Sequence, residues 1–118
     1  MSPEVKIDSV RSESSGTLGR AVSRGHGATL TLDSSGRPQP DAFTNSEAFL
    51  AGVSSCGVTL IEMHAKESGI AMQGLDVTIE GARTSTDPTR FASVTMTFEF
   101  SGVSQAQADE LVQTYRGR

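Results

Sequence analysis

The stretch Thr44-Asn45-Ser46-Glu47-Ala48-Phe49-Leu50-Ala51-Gly52-Val53-Ser54-Ser55-Cys56-Gly57-Val58-Thr59-Leu60-Ile61 decides how this chain folds. Thr44-x-x-Glu47 has the form of a capping box, in which the threonine hydroxyl and the glutamate carboxylate satisfy each other's unpaired backbone amides. A helix is therefore predicted to start there and run to about Glu67, with Gly69 as its left-handed closing residue. Phe49, Val53, Cys56, Leu60 and Met63 fall on one stripe of that helix, and Leu50, Gly57, Ile61 and His64 on the adjacent one. A helix apolar over so much of its girth has to be covered on several sides, by its own sheet and by another subunit.

Working outward, Val5 to Arg11 and Thr29 to Asp33 alternate apolar and polar residues and read as strands, with a third strand around Gly19 to Ser23. Gly25-His26-Gly27 reads as a turn, and Ser34 to Asp41, with its glycine, serines and two prolines, as a loop. Beyond the helix, Leu75 to Glu80 and Val94 to Phe100 are alternating strands. In the second, Val94, Met96, Phe98 and Phe100 point one way and Thr95, Thr97 and Glu99 the other. A last helix is predicted from Ser104, carrying Ala108, Leu111, Val112 and Tyr115 inward. Strands, a long helix, strands and a helix make an α+β domain rather than a βαβ repeat. The 118 residues are expected to form one domain, 1–118, around one core.

Charged residues make up 20% of the chain and the net charge is −4, with no block of like charges to hold a polyanion, so nucleic acid is not an expected partner. The start, Met1-Ser2-Pro3-Glu4-Val5-Lys6, lacks an apolar targeting core, and no segment reads as long enough to span a bilayer; a cytoplasmic protein with no membrane partner is expected. With His26 and His64 far apart and one cysteine, neither a metal site, a cofactor nor an internal disulfide is expected.

That cysteine, Cys56, has two readings: a small hydrophobe packed in a core helix, or the reactive centre of the protein. The pattern around it resembles the OsmC/Ohr superfamily of osmotically inducible and organic-hydroperoxide-resistance proteins, nearer its broad OsmC-like branch. The resemblance is carried by Arg24-Gly25-His26 before a strand ending in Asp33, by Asn45 to Cys56, by Glu67-Ser68-Gly69-Ile70 and by Gly74-Leu75-Asp76-Val77. It implies antiparallel sheets packed around a long central helix, an intertwined homodimer, and a thiol peroxidase site at the dimer interface. It also implies that Cys56 attacks the peroxide oxygen of an organic hydroperoxide and becomes a sulfenic acid, and that a small dithiol or lipoylated protein is the reductant. In active members a resolving cysteine follows the last helix, and further strands follow it; the sequence here reaches Arg118 without them, so the domain as given lacks that segment, and either the native chain continues with it or the disulfide step is absent. Glu47 stands nine residues before Cys56, whereas the dedicated organic-hydroperoxide branch places its glutamate ten before.

The chemistry narrows the helpers. Thiolate is the nucleophile, so a peroxidatic Cys56 needs a cation or hydrogen-bond donors nearby. Arg24 is the first candidate, because a guanidinium stays charged and holds oxygens in a planar fork, and Glu47 is its candidate orienting partner. The same arginine would stabilise the departing alkoxide. Each has a plainer reading: Glu47 as a capping residue only, Arg24 as a solvated strand-end residue with Arg20 as an equally basic neighbour. His26 reads as a turn residue, His64 as a packed core histidine, and Ser54 and Ser55 as small residues that let helices approach. Phe49, Val53 and Met96 are candidate apolar walls. Besides the peroxidase, two readings stand: a non-enzymatic domain binding an apolar small molecule, and a redox-sensing dimer that uses Cys56 stoichiometrically.

Overall fold

The structure, a computed structural model, describes residues 4–117. The chain runs β1 (Arg11–Ser14), β2 (Arg20–Gly25), β3 (Ala28–Asp33), α1 (Asn45–Glu67), β4 (Gly74–Ala82), β5 (Ser93–Ser101) and α2 (Gln105–Arg116), the α+β order expected. It divides into two compact units, Met1–Ala48 and Phe49–Arg118.

The first unit is an antiparallel sheet in the order β1-β2-β3. Gly25 lies opposite Ala28, so the β2–β3 connection is the two-residue loop His26-Gly27. Both loop residues have positive φ, 53° and 79°. That is the signature of a type I′ hairpin turn, whose twist matches the flanking strands. The expected first strand over residues 5–11 is corrected: β1 begins where that expectation ends. Arg11 pairs with Arg24 at the end of β2, and the preceding residues run past the hairpin tip, where no described strand pairs with them. Val5, Ile7 and Val10 are accordingly exposed.

β3 ends at Asp33, which is only 2% exposed. Its carboxylate accepts from the Ser35 and Gln39 amides at 3.0 and 3.1 Å and from Arg20 Nη1 at 3.0 Å. Arg20 also grips Asp41 through both terminal nitrogens, at 3.2 and 2.8 Å. One guanidinium and two carboxylates thus pin the loop between β3 and α1.

The helix start follows the sequence closely. The Glu47 amide donates to Thr44 Oγ1 at 3.1 Å and the Thr44 amide donates to Glu47 Oε1 at 2.8 Å. At the other end Gly69 has φ 70°, and the Ile70 amide closes back on the Ala65 carbonyl at 2.8 Å, satisfying an otherwise unpaired helix acceptor. The 23 residues of α1 form one helix long and apolar enough to cross a membrane. This corrects the expectation that no segment approaches that length. Only 17% of its most apolar window is buried.

In the second unit β4 and β5 pair antiparallel along their full length, Gly74 opposite Ser101 and Ala82 opposite Ser93. Leu75, Val77 and Ile79 with Met96, Phe98 and Phe100 are half-buried, while Asp76, Thr78, Glu80, Thr95, Thr97 and Glu99 are exposed, as period-two alternation requires. Val94, expected with the inward set, is exposed near the start of β5. α2 opens with a full capping box between Ser104 and Gln107. Its Leu111 is completely buried and joins Ile61 and Ala65 of α1 in the core. Ile70, Met72, Leu75, Phe98, Phe100 and Tyr115 pack around these three.

Candidate functional site

The buried residues of α1 are Gly57, Ile61 and Ala65, one row at four-residue spacing. Gly57 makes the closest approach: a Cβ there would lie 3.2 Å from Met96 Cε and 3.3 Å from the Tyr115 ring, so the sheet and α2 press on the helix backbone at this point. Turning the inner row this way leaves the neighbouring residue, Cys56, exposed. Within this one chain, therefore, Cys56 is not part of the core.

Cys56 sits on an outward stripe with Phe49 and Met63, one heptad to either side; these are 60% and 57% exposed. Two hydroxyls near the thiol, those of Ser54 and Thr59, turn back onto the helix. Ser54 Oγ donates to the Leu50 and Ala51 carbonyls at 3.0 and 3.2 Å, and Thr59 Oγ1 donates to the Cys56 carbonyl at 3.3 Å. The stripe thus presents a sulfur, a thioether and an aromatic ring.

Phe49 is held in place from below. Its ring stacks on Phe91, centroids 6.4 Å apart and planes 25° from parallel. Phe91 lies over Gly81 of β4, where an added Cβ would sit 2.6 Å from Cδ1 and 2.8 Å from Cζ. The Arg83 guanidinium lies over the same ring, 4.4 Å from its centroid. Sequence reading missed Phe91, Gly81 and Arg83; the available signal was a glycine at an inward strand position, where a neighbouring ring commonly fills the space of the missing side chain.

The other candidates are placed as follows. Arg24 is on β2, 55% exposed, its Nη1 3.4 Å from Glu13 Oε1. It belongs to the first unit and Cys56 to the second. Glu47 makes the capping contacts already described, and its nine-residue offset from Cys56 is two and a half helical turns, which directs the two side chains to opposite sides of α1. Arg20 is committed to Asp33 and Asp41, hydrogen bonds that raise its pKa, the Asp41 bond most. The Asp33 carboxyl is held well below the usual carboxylate range, first by Ser35, whose amide bond to it is described above, then by Gln39 and Arg20. Asp41 is lowered chiefly by Arg20. His26 is an exposed turn residue, as read. His64 is half-buried, with Nε2 3.3 Å from Thr114 Oγ1 of α2 and 3.4 Å from Ser68 Oγ. Since the Thr114 hydroxyl donates to the Glu110 carbonyl at 3.0 Å, the tautomer protonated at Nε2 fits this contact. Among the described residues no group of three or more His, Cys, Asp or Glu side chains is disposed to hold a metal ion.

No curated protein matches the chain in sequence. Solved structures do match in fold. An OsmC-like protein from Mycoplasma pneumoniae superposes with a TM-score of 0.83 at 19% identity, covering 96% of this chain and 82% of that one. The organic hydroperoxide resistance protein OsmC from Legionella pneumophila gives 0.72 at 20% identity, over 98% and 85%. The organic hydroperoxide resistance protein OhrB of Bacillus subtilis gives 0.65 at 18%, over 95% and 84%. The OsmC-like protein family model matches residues 38–118, which take in the end of the loop after β3, all of α1 with its exposed cysteine, and every element that follows. With more than half of its length in that match, the chain belongs to the OsmC-like protein family.

Proposed function

We propose that this protein is a thiol-dependent reductase of organic hydroperoxides that works through Cys56. The observation that carries the reading is the exposure of the chain's one thiol on the outer face of α1, in a family whose structural neighbours include two organic hydroperoxide resistance proteins. The Cys56 thiolate attacks the terminal peroxide oxygen; the S–O bond forms as the O–O bond breaks. The sulfur is oxidised to a sulfenic acid, and the departing alkoxide takes a proton and leaves as an alcohol. A dithiol then restores the cysteine: one of its sulfurs displaces water from the sulfenic acid, and the second releases the Cys56 thiol as the dithiol closes to its own disulfide.

Arg24 is the proposed cation for the thiolate and the alkoxide. Arg20, the basic neighbour weighed against it, is already bound to two carboxylates, whereas Arg24 is exposed and makes a looser contact with Glu13. Glu47 is engaged as the capping residue of α1, on the side of the helix away from Cys56. The open stripe on α1 is proposed to be covered by a second copy of the chain rather than by lipid, making a cytoplasmic homodimer; a monodisperse solution mass near the 12.4 kDa of one chain would contradict this.

The test is intact mass after one equivalent of organic hydroperoxide, with Cys56→Ser alongside. Gain of one oxygen at Cys56, absent in the variant, supports the reading. An unchanged mass returns Cys56 to an inert role and favours a binding domain for apolar molecules instead. In Arg24→Ala the rate of oxygen gain is expected to fall about tenfold or more, the scale of losing one charge-stabilising donor.

A further inference from the structure

We infer that Met96 is a second site of reaction with hydroperoxide, and that its sulfoxide is held in the folded protein by the Tyr115 hydroxyl. Met96 lies on the inward face of β5 and is half-buried. Its sulfur is 3.7 Å from Tyr115 Oη, and the hydroxyl donates to it. The two side chains close together on Gly57 of α1, where a Cβ would be 3.2 Å from Met96 Cε and 3.5 Å from Tyr115 Oη. Cys56, exposed on the neighbouring stripe, takes no part in this contact.

A thioether is a weak acceptor, so the Tyr115 hydroxyl gains little by donating to it. Oxidation changes that. The Met96 sulfur attacks the terminal oxygen of a hydroperoxide, and the S–O bond forms as the O–O bond breaks. The thioether is oxidised to a sulfoxide, and the hydroperoxide's proton passes to the departing alkoxide, which leaves as an alcohol. The new oxygen is polar, and at a half-buried position it costs free energy unless a donor meets it. The Tyr115 hydroxyl is a donor already within reach and turns from the sulfur to the oxygen. Its ring is braced against Gly57 on one side and edge-on against Phe98 at 5.9 Å on another, which keeps the hydroxyl in place. Met63 is the contrasting case: at 57% exposure, water solvates its sulfoxide and no protein partner is required. Oxidised Met96 thus leaves a polar mark of peroxide exposure at the contact that turns Cys56 outward.

The experiment treats Cys56→Ser, whose thiol cannot compete, with excess tert-butyl hydroperoxide. Peptide mass mapping locates sulfoxide at Met63, Met72 and Met96, and far-UV circular dichroism gives Tm before and after oxidation. The same is done with Tyr115→Phe added, and with Tyr115→Phe and Met96→Leu added together. Met96 sulfoxide is expected in the folded parent. The fall in Tm on oxidation is expected to be larger by about 5 °C or more with Tyr115→Phe, where the sulfoxide has lost its donor. That excess is expected to vanish once Met96→Leu is also present. If Met96 stays unoxidised in the folded parent while Met63 is fully converted, the site is refuted. If Met96 is oxidised but Tyr115→Phe brings no greater fall in Tm, or the excess persists without Met96, the role of Tyr115 is refuted. Every outcome is read without Cys56, so none of them decides the peroxidase reading.

Discussion

Replacing Gly81 by alanine tests the packing beneath the candidate site, and its sign is predicted to depend on one other residue. Taken alone, the change favours the folded state by about 0.5–1 kcal/mol, because alanine has less freedom to lose than glycine. The structure opposes it: the new Cβ would stand 2.6 Å from Phe91 Cδ1 and 2.8 Å from Cζ, well inside contact distance. The ring must move, and with it goes the stack on Phe49, worth about 0.5–1.5 kcal/mol, and the Arg83 contact, worth about 0.5–1 kcal/mol at an exposed position. Gly81→Ala should therefore destabilise the protein by about 1 kcal/mol, in line with other overpacked sites. In a Phe91→Ala background the obstruction is gone, and the same change should stabilise by about 0.5–1 kcal/mol. Tyr115, the chain's one tyrosine, packs edge-on against Phe98 at 5.9 Å in the same unit, and with no tryptophan present its fluorescence follows urea unfolding there. With a slope of about 2 kcal/mol/M the midpoint should fall by about 0.5 M in the wild-type background and rise in the other, at fixed protein concentration. A shift of the same sign in both backgrounds would refute the reasoning.

Other outcomes follow from the same contacts. Leu111→Ala, at a fully buried core position, should cost about 2–5 kcal/mol and lower Tm by about 10 °C or more; a drop of only a degree or two would mean that the core is not centred there. Asp33 has a depressed carboxyl pKa, so its contribution to stability is complete above the unfolded value near 3.9 and is lost as pH falls towards the lower folded value. The Ser35 and Gln39 amide NMR shifts should thus hold from pH 7 to about 4 and move only below it; a transition above about pH 4 would contradict the clasp. His26→Asn should stabilise by about 0.5 kcal/mol, because asparagine adopts the positive φ of the type I′ turn more readily, whereas His26→Val should destabilise; thermal melts of both decide this.

Much of the fold was legible because it is written in local chemistry. The Thr44–Glu47 box, Gly69 and the Ser104 cap each satisfy nearby backbone groups and appear where read, and the alternation in β4 and β5 holds except at Val94. What could not be read depends on distant partners. Val5 to Val10 alternate like a strand but run past the end of β2, and Arg20, Asp33 and Asp41 find each other only once β2, β3 and the loop are in place. The site is a mixed case. α1 is apolar nearly all round, so periodicity alone could not say which stripe faces inward. Packing decides it through the row Gly57, Ile61 and Ala65, with Met96 and Tyr115 closing on Gly57, and the exposure of Cys56 is the consequence. Phe91 escaped notice because its role is to fill the space over a glycine on another segment.

Catalytic turnover tests the central claim most directly: a trace of the protein, wild type or Cys56→Ser, with excess organic hydroperoxide and a dithiol, following alcohol formation. The account predicts many alcohols formed per wild-type Cys56 and none above background from the variant. Equal rates in the two proteins would contradict it. A single oxidation without turnover would reduce Cys56 to a stoichiometric sensor.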